Sequence, residues 1–271
     1  DTPVSSRLCL TLPLALAASF GLVPLLFPWH LGHFTLPWLA WAQLAELGGL
    51  PLVDLATAAV GCLGFAAFEA HATVPRDPRR VRGFGAAAVL LVGVCAAFGY
   101  ARLREVRAER LQAQVLRVGV VQPDVSIAEL REGLTASDRL ARLTALSAQL
   151  AAGEAELILW PEAAYPLPVS RTALLAREAR TLQLSAEGLP HLVGALSTDT
   201  RDRSGCSTWN TLIATGPDGT PTGHVDKRER FPFAEYIPFW SWSSWLQQRY
   251  PCAGERVGEG APRLTVGDAA L

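Results

Sequence analysis

The sequence predicts transmembrane α-helices followed by an α/β domain. Two observations carry this: long uncharged apolar runs before residue 105, and short β-rich runs alternating with helical leucine spacing after it. Composition is the third. Half of the 271 residues are hydrophobic and 18% are charged, with a mean hydropathy of +0.22, more apolar than a soluble domain of this size needs. The formal net charge of −1 supplies no field to draw in a polyanion, so nucleic-acid binding is excluded. Repeats of solenoid period and low-complexity tracts are absent from the sequence, which argues against a repeat array or a disordered tail.

The membrane region is expected over residues 1–105. Leu8 to Trp29 is uncharged over 22 residues, and at about 1.5 Å per residue it reaches across a hydrocarbon core about 30 Å thick. Pro13 and Pro24 are tolerable in a membrane span, where neighbouring helices satisfy freed carbonyls. A cleaved signal peptide fits less well, because no small-residue cleavage site follows and further apolar segments do. Spans two and three are expected near 50–68 and 84–100, around a polar stretch from His71 to Gly83 that carries Arg76, Arg79, Arg80 and Arg82. The positive-inside rule puts that stretch in the cytoplasm and sends the rest of the chain to the opposite side. Arg102, Arg104, Arg107 and Arg110 follow the third span at once, so charge counting alone nearly ties. Between the first two spans, residues 30–49 hold Phe34, Trp38, Trp41, Pro37 and Glu46, a composition suited to the headgroup level. His30 and His33 read as interfacial histidines, since no cysteine or acidic residue stands near them in the sequence.

After Val106 the pattern changes. Leu116–Gln122 is a short β-rich run ended by Pro123, and Leu140, Leu143, Leu146 and Leu150 recur at helical spacing. Glu156–Trp160 is a second strand, closed by Pro161 and Glu162. A helix is expected over Arg171–Glu187, a strand over His191–Leu196, and a hairpin in which Trp209–Thr215 and Thr220–Val225 flank Gly216-Pro217-Asp218-Gly219.

Three counts sharpen the reading. With no methionine, the chain is expected to be a piece of a longer polypeptide. Only one of the 24 basic residues is lysine, Lys227. Where arginine is written nearly everywhere else, that position points to a role for a compact ammonium that a broad, permanently charged guanidinium cannot fill. Of the five cysteines, Cys9, Cys62 and Cys95 lie in apolar stretches, while Cys206 and Cys252 lie in the polar half and could form one disulfide if it is exported. Glu162 stands at the carboxyl end of a buried strand, where α/β proteins place their sites.

The segments LRVGVVQPDV, LILWPEAAYP, WNTLIATGPDG and HVDKRERFPFAEYIPF resemble, in order and spacing, the carbon–nitrogen hydrolase (nitrilase) superfamily, and within it the membrane branch of apolipoprotein N-acyltransferases. The upstream spans and the aromatic stretch FPWHLGHFTLPWLAWAQLAELGG are similar to that branch as well. The resemblance implies a nitrilase-like α-β-β-α sandwich over residues 106–271, incomplete at its C-terminal end. It also implies a bacterial inner-membrane, multi-pass location with that domain on the periplasmic side. The implied reaction moves an acyl chain from a glycerophospholipid to the α-amino group of the S-diacylglyceryl N-terminal cysteine of an apolipoprotein, the last step of lipoprotein maturation. Its partners are therefore a phospholipid donor, the diacylglyceryl-modified acceptor and membrane lipid, with no metal or other cofactor.

The site implied by the resemblance is a Glu-Lys-Cys triad: Glu162 as general base, Lys227 as oxyanion stabiliser, and Glu235 in Phe-Ala-Glu-Tyr as support for both. The family's cysteine sits on a later strand in an Ile-Cys-(Tyr/Trp)-Glu motif that this sequence lacks. Residues 264–271 look like the hairpin before it, so the nucleophile is expected beyond residue 271 and these 271 residues alone should be inactive. Cys206 and Cys252 stand in loops unlike the strand-end elbow a nucleophile needs.

Residues 231–250 hold Phe231, Phe233, Tyr236, Phe239, Trp240, Trp242, Trp245 and Tyr250. One reading is a membrane-facing arm that lets a phospholipid enter with its chains kept dry, each CH₂ contributing about 0.8 kcal/mol. The other is a hydrophobic patch folded under a long loop. Two rival functions also stay open, a membrane-tethered amidase or nitrilase and a catalytically dead membrane scaffold.

Overall fold

The computed structural model describes residues 4–22, 29–73, 76–178, 182, 184, 188–202, 204, 206–259, 264–266 and 269–270. The chain divides into two compact units, Asp1–Gln114 and Val115–Leu271. The boundary falls later than residue 105, because the last helix of the first unit runs on through its arginine-rich end.

The first unit is helical. Helix α1 (Val4–Leu22) packs on α3 (Ala45–Ala72), and α3 packs on α4 (Pro78–Gln112), with a 3-10 turn at Leu31–Thr35 and a short α2 (Leu39–Ala42) between α1 and α3. Helix α3 breaks at Gly48 and Gly49, whose backbone is not helical, and resumes at Leu50 with Pro51 in the new first turn, where its missing N–H costs nothing. Asp77 caps α4 by accepting from the Arg79 and Arg80 amides at 3.1 and 3.2 Å, with Pro78 at the first helical position.

Helices α3 and α4 are long and apolar enough to cross a membrane. The first expected span is only partly described: α1 ends at Leu22, its apolar stretch Thr11–Phe20 is short of a bilayer core, and Pro24 lies outside the described residues.

Two expectations for residues 30–49 are corrected. Phe34 and Trp38 are exposed, but Trp41 is 3% exposed. It packs with Leu44, Val53, Ala56 and Cys95, and its indole N–H donates to Thr57 Oγ1 at 3.0 Å. His30 does have an acidic partner: Asp54, one helical turn past the Gly48–Gly49 break of α3, lies 2.6 Å from His30 Nδ1 and also accepts the Gly32 amide at 2.8 Å. The sequence hides this pair because 24 positions separate its members. Asp54 is fully buried. Asp54→Ala would strand two buried polar groups at about 1–3 kcal/mol each. Thermal unfolding in detergent should therefore show a clear drop that Asp54→Asn partly restores; an unchanged midpoint would contradict the pairing.

The second unit is built on one mixed sheet. Its strands are β1 (Val118–Val120), β2 (Leu157–Leu159), β3 (Tyr165–Ser170), β4 (His191–Thr198), β5 (Thr208–Thr215) and β6 (Pro221–Asp226). The order is β1-β2-β4-β5-β6, with β3 also paired to β4; β1, β2, β3 and β4 run parallel, and β5 and β6 antiparallel.

Between β1 and β2 lie α5 (Ile127–Arg131) and α6 (Ala136–Ala151), each opened by a reciprocal capping box, Ser126 with Glu129 and Thr135 with Asp138. Leu143 of α6 is buried with Val121, Ile158, Trp160, Val193 and Ile213, and Trp160 donates its indole N–H to buried Ser147 at 2.8 Å. Leu157, Leu192, Ala214 and Leu264 form a separate cluster, as the alternation of side chains along a strand requires.

Strand β3 is not an expected strand, because Pro166 and Pro168 cannot donate to a ladder; among the described residues it pairs with β4 alone, the one-sided position where proline is tolerated. The helix expected over Arg171–Glu187 is α7 (Arg171–Leu175), five residues long. Arg177 turns left-handed at φ 53°, and Glu178 N–H returns to Ala173 O at 3.1 Å, closing the helix. Parts of 179–187 lie outside the described residues. Past α8 (Ser244–Arg249), strand β7 (Thr265–Val266) pairs antiparallel with β8 (Ala269–Ala270).

Candidate active site

Glu162 sits where β2 has ended and β3 has not begun. Both strands lie along the same edge of β4: Ile158 and Leu159 beside His191 and Leu192, then Tyr165–Ser170 beside Ala195–Thr198. In the gap, Pro161 has no N–H to give and Ala163 takes a left-handed φ of 50°, so the chain buckles out of the sheet and presents the Glu162 side chain. Gly194 of β4 makes room for the buckle, since a Cβ there would lie 2.7 Å from Glu162 Cα. Gly194→Ala should thus displace Glu162. Loss of about 1 Å of placement typically costs about 10²-fold in rate, and nuclear magnetic resonance should find the Glu162 carboxyl back near its ordinary range; an unshifted Glu162 would contradict the close fit.

Lys227 follows β6 directly and is fixed on both sides. Its amide donates to Asn210 O at 2.8 Å and its carbonyl accepts from the Gly258 amide at 2.9 Å. The preceding Asp226 takes a two-pronged contact from Arg171 at 2.7 and 2.6 Å, plus the Thr211 hydroxyl at 2.7 Å. Burial alone would raise the Asp226 carboxyl; Arg171 and Thr211 outweigh it and hold it low.

Glu235 lies in the turn after Phe231. Its own amide bonds Phe231 O at 2.9 Å, and its Oε2 accepts the Phe231 amide at 3.0 Å. Behind it runs Cys252–Glu255, whose Glu255 amide donates to Glu235 O at 2.8 Å. Gly254, at φ 119°, is required there, because a Cβ would come 2.5 Å from Tyr236 Cα.

These three side chains converge. The Lys227 ammonium donates to Glu162 Oε1 at 2.8 Å and to Glu235 Oε1 at 2.6 Å, while Asn210 Nδ2 donates to the same Glu162 oxygen at 2.6 Å. Glu162 is the exposed member, its side chain 59% accessible against 25% for Lys227 and 17% for Glu235. The Lys227 hydrogen bond holds the Glu162 carboxyl below the usual carboxylate range, against partial burial and with Asn210 adding to it. For Lys227, burial would lower the ammonium, and its bonds to Glu162 and Glu235 more than offset this. A base held ionised beside a fixed cation is an arrangement suited to a nucleophile's proton and an oxyanion.

A cavity of about 400 Å³ opens on the pair, walled by Leu159, Glu162, Asn210, Leu212, Val225 and Lys227. A second, of about 710 Å³, lies among Glu235, Tyr236, Phe239, Trp245, Leu246 and Tyr250. The aromatic segment is mostly outward: Phe231, Phe233, Phe239, Trp242, Trp245 and Tyr250 are exposed, Tyr236 and Trp240 half-buried. Trp240 anchors it by donating its indole N–H to Tyr250 O at 2.8 Å, and the Arg230 guanidinium lies 4.6 Å from the Tyr236 ring centre.

Cys206 and Cys252 form a disulfide, their Cα atoms 5.1 Å apart, so neither sulfur is a free thiol. Asn210, Gly194 and Glu255 are not singled out by sequence reasoning. Asn210 carries the one signal, an amide set as the third residue of a strand that is mostly buried from there on. No group of three or more metal-ligating side chains occurs among the described residues.

No family model matches the chain. Over 180 residues it is 28% identical to a protein of Chlorobaculum tepidum named apolipoprotein N-acyltransferase. That alignment covers 60% of this chain and 34% of the relative, so the chain spans about a third of the relative's length.

Proposed function

We propose that the chain belongs to an apolipoprotein N-acyltransferase of the nitrilase superfamily. It would move an acyl chain from a glycerophospholipid to the α-amino group of an S-diacylglyceryl cysteine, on the extracytoplasmic side of a bacterial inner membrane. The observation that carries the proposal is the Lys227 ammonium held between Glu162 and Glu235 beside an open cavity. Two helices long and apolar enough for a membrane, an exposed aromatic segment and the named relative support a lipid substrate over a small soluble amide. The disulfide supports an oxidising compartment.

Glu162 accepts the proton of a cysteine thiol, and the thiolate attacks the phospholipid ester carbon. A C–S bond forms and the carbonyl oxygen becomes an anion facing Lys227. Collapse breaks the C–O bond to glycerol, and Glu162 returns its proton to the leaving alkoxide, which departs as lysophospholipid. The acceptor amine then attacks the thioester carbon and gives its proton to Glu162. A C–N bond forms, the C–S bond breaks, and the thiol is restored. Glu235 keeps Lys227 aimed. In this proposal the thiol stands on a further strand completing an α-β-β-α sandwich, as the resemblance implies, since Cys206 and Cys252 are tied to each other and the free Cys9, Cys62 and Cys95 belong to the helical unit.

The test has two parts. The encoding gene should place a cysteine shortly after Leu271, and the encoded protein in detergent should acylate a diacylglyceryl lipopeptide from phospholipid. Hydrolysis of amides without acyl transfer would turn the reading to a tethered carbon–nitrogen hydrolase, and absence of both activities to a scaffold.

A further inference from the structure

Glu255 is a third carboxyl at this site. Tyr236 bridges Gly254 in antiparallel register, which sets Glu235 opposite Glu255, and cross-strand partners project from the same face. Lys227 already spends its contacts on Glu162 and Glu235. Glu255 Oε2 is buried with no hydrogen-bond partner among the described residues. The Arg230 guanidinium is directed instead to the Glu255 backbone carbonyl and the Tyr236 ring. Two carboxylates thus hold the Lys227 ammonium and a third carboxyl lies beside one of them, with a buried oxygen that an ionised state would penalise.

We propose that Glu255 is held as a neutral carboxylic acid beside Glu235, a positioning residue whose proton keeps a third negative charge away from the Lys227 oxyanion site. In that geometry burial pushes the Glu255 carboxyl up, the charges of Glu235 and Glu162 push the same way, and Lys227 and Arg230 oppose them. Glu255 also lines a separate cavity of about 310 Å³ with Arg230, Trp240, Arg256 and the disulfide. The protonation state rests on this geometry alone; its effect on catalysis rests on the acyl-transfer reading.

The sign of the stability effect follows from the raised value. As pH climbs past the ordinary glutamate range, about 4.3, the unfolded chain loses this proton before the folded one, so stability falls. Glu255→Gln, a neutral shape mimic, should therefore match the parent in acid and melt progressively higher than it towards neutral pH. In the whole protein labelled with carboxyl-¹³C glutamate, Glu255 should titrate above the exposed glutamates. The Gln variant should leave the Glu162 and Glu235 signals unmoved at neutral pH, and in the acylation assay it should extend activity to higher pH. A Glu255 signal titrating at or below the ordinary range, or a Gln variant that melts lower at neutral pH, would overturn the proposal. Normal titration of Glu255 in a protein with no acylation would overturn both readings, whereas raised titration without acylation would overturn only the acyltransferase.

Discussion

Lys227→Arg is expected to lower acyl transfer by about 10²–10³-fold, the usual cost of losing a group aimed at a developing oxyanion, while the protein stays membrane-inserted. Charge is conserved, so the loss is geometric. Lys227 reaches two carboxylates through one nitrogen, 2.8 and 2.6 Å away. A planar guanidinium spreads its charge over a fork, forms a two-pronged contact with one carboxylate, and fills the space the tetrahedral oxygen needs. Phospholipid-dependent acylation of a lipopeptide, measured alongside membrane fractionation, checks this, and an active Lys227→Arg enzyme would remove the assigned role.

Glu162→Gln should lower the rate by about 10²–10⁴-fold, the range for a lost general base. The amide keeps the shape and can still accept from Lys227 and Asn210, so the fold should persist. Because the Glu162 carboxyl is held low, it stays ionised below the ordinary glutamate value, and the stability its pair with Lys227 provides is present above that value and lost as pH falls through the folded one. Lys227 is held high, so its share is intact below the ordinary lysine value and lost as pH rises through the folded one. The pair is therefore whole across the neutral range. A lipid covering the 59%-exposed Glu162 side chain would strip its water and raise its pKa. The acid limb of kcat should then lie at higher pH than that of kcat/KM; coincident limbs would argue against the substrate covering the base.

Much of the site was legible from residue chemistry. Lys227 stood out as a lone lysine among arginines, and Glu162 as an acid directly after a buried strand. What the sequence could not disclose were contacts made by folding at a distance. Asn210 reaches Glu162 across 48 positions, and Arg171 reaches Asp226 across 55. Glu255 reads as one more surface glutamate until the turn at Gly254 lays it beside Glu235. In the fold, the apolar pattern located β1 and α6, which each bury one face, and β2, β4 and the β5–β6 hairpin, whose central strands are short apolar runs buried on both faces. It failed at β3, where two prolines mask a strand paired on one side, and at α7, where a left-handed Arg177 stops a pattern that looked helical.

The central claim is that Glu162, Lys227 and Glu235 form one acyl-transfer site. Intact-mass analysis of the gene's full polypeptide after exposure to phospholipid, without acceptor, tests it most directly. The account predicts a hydroxylamine-labile adduct of one acyl chain on a cysteine beyond Leu271, absent in Lys227→Arg and Glu162→Gln. No adduct in the parent, or an adduct that persists in both variants, would contradict it.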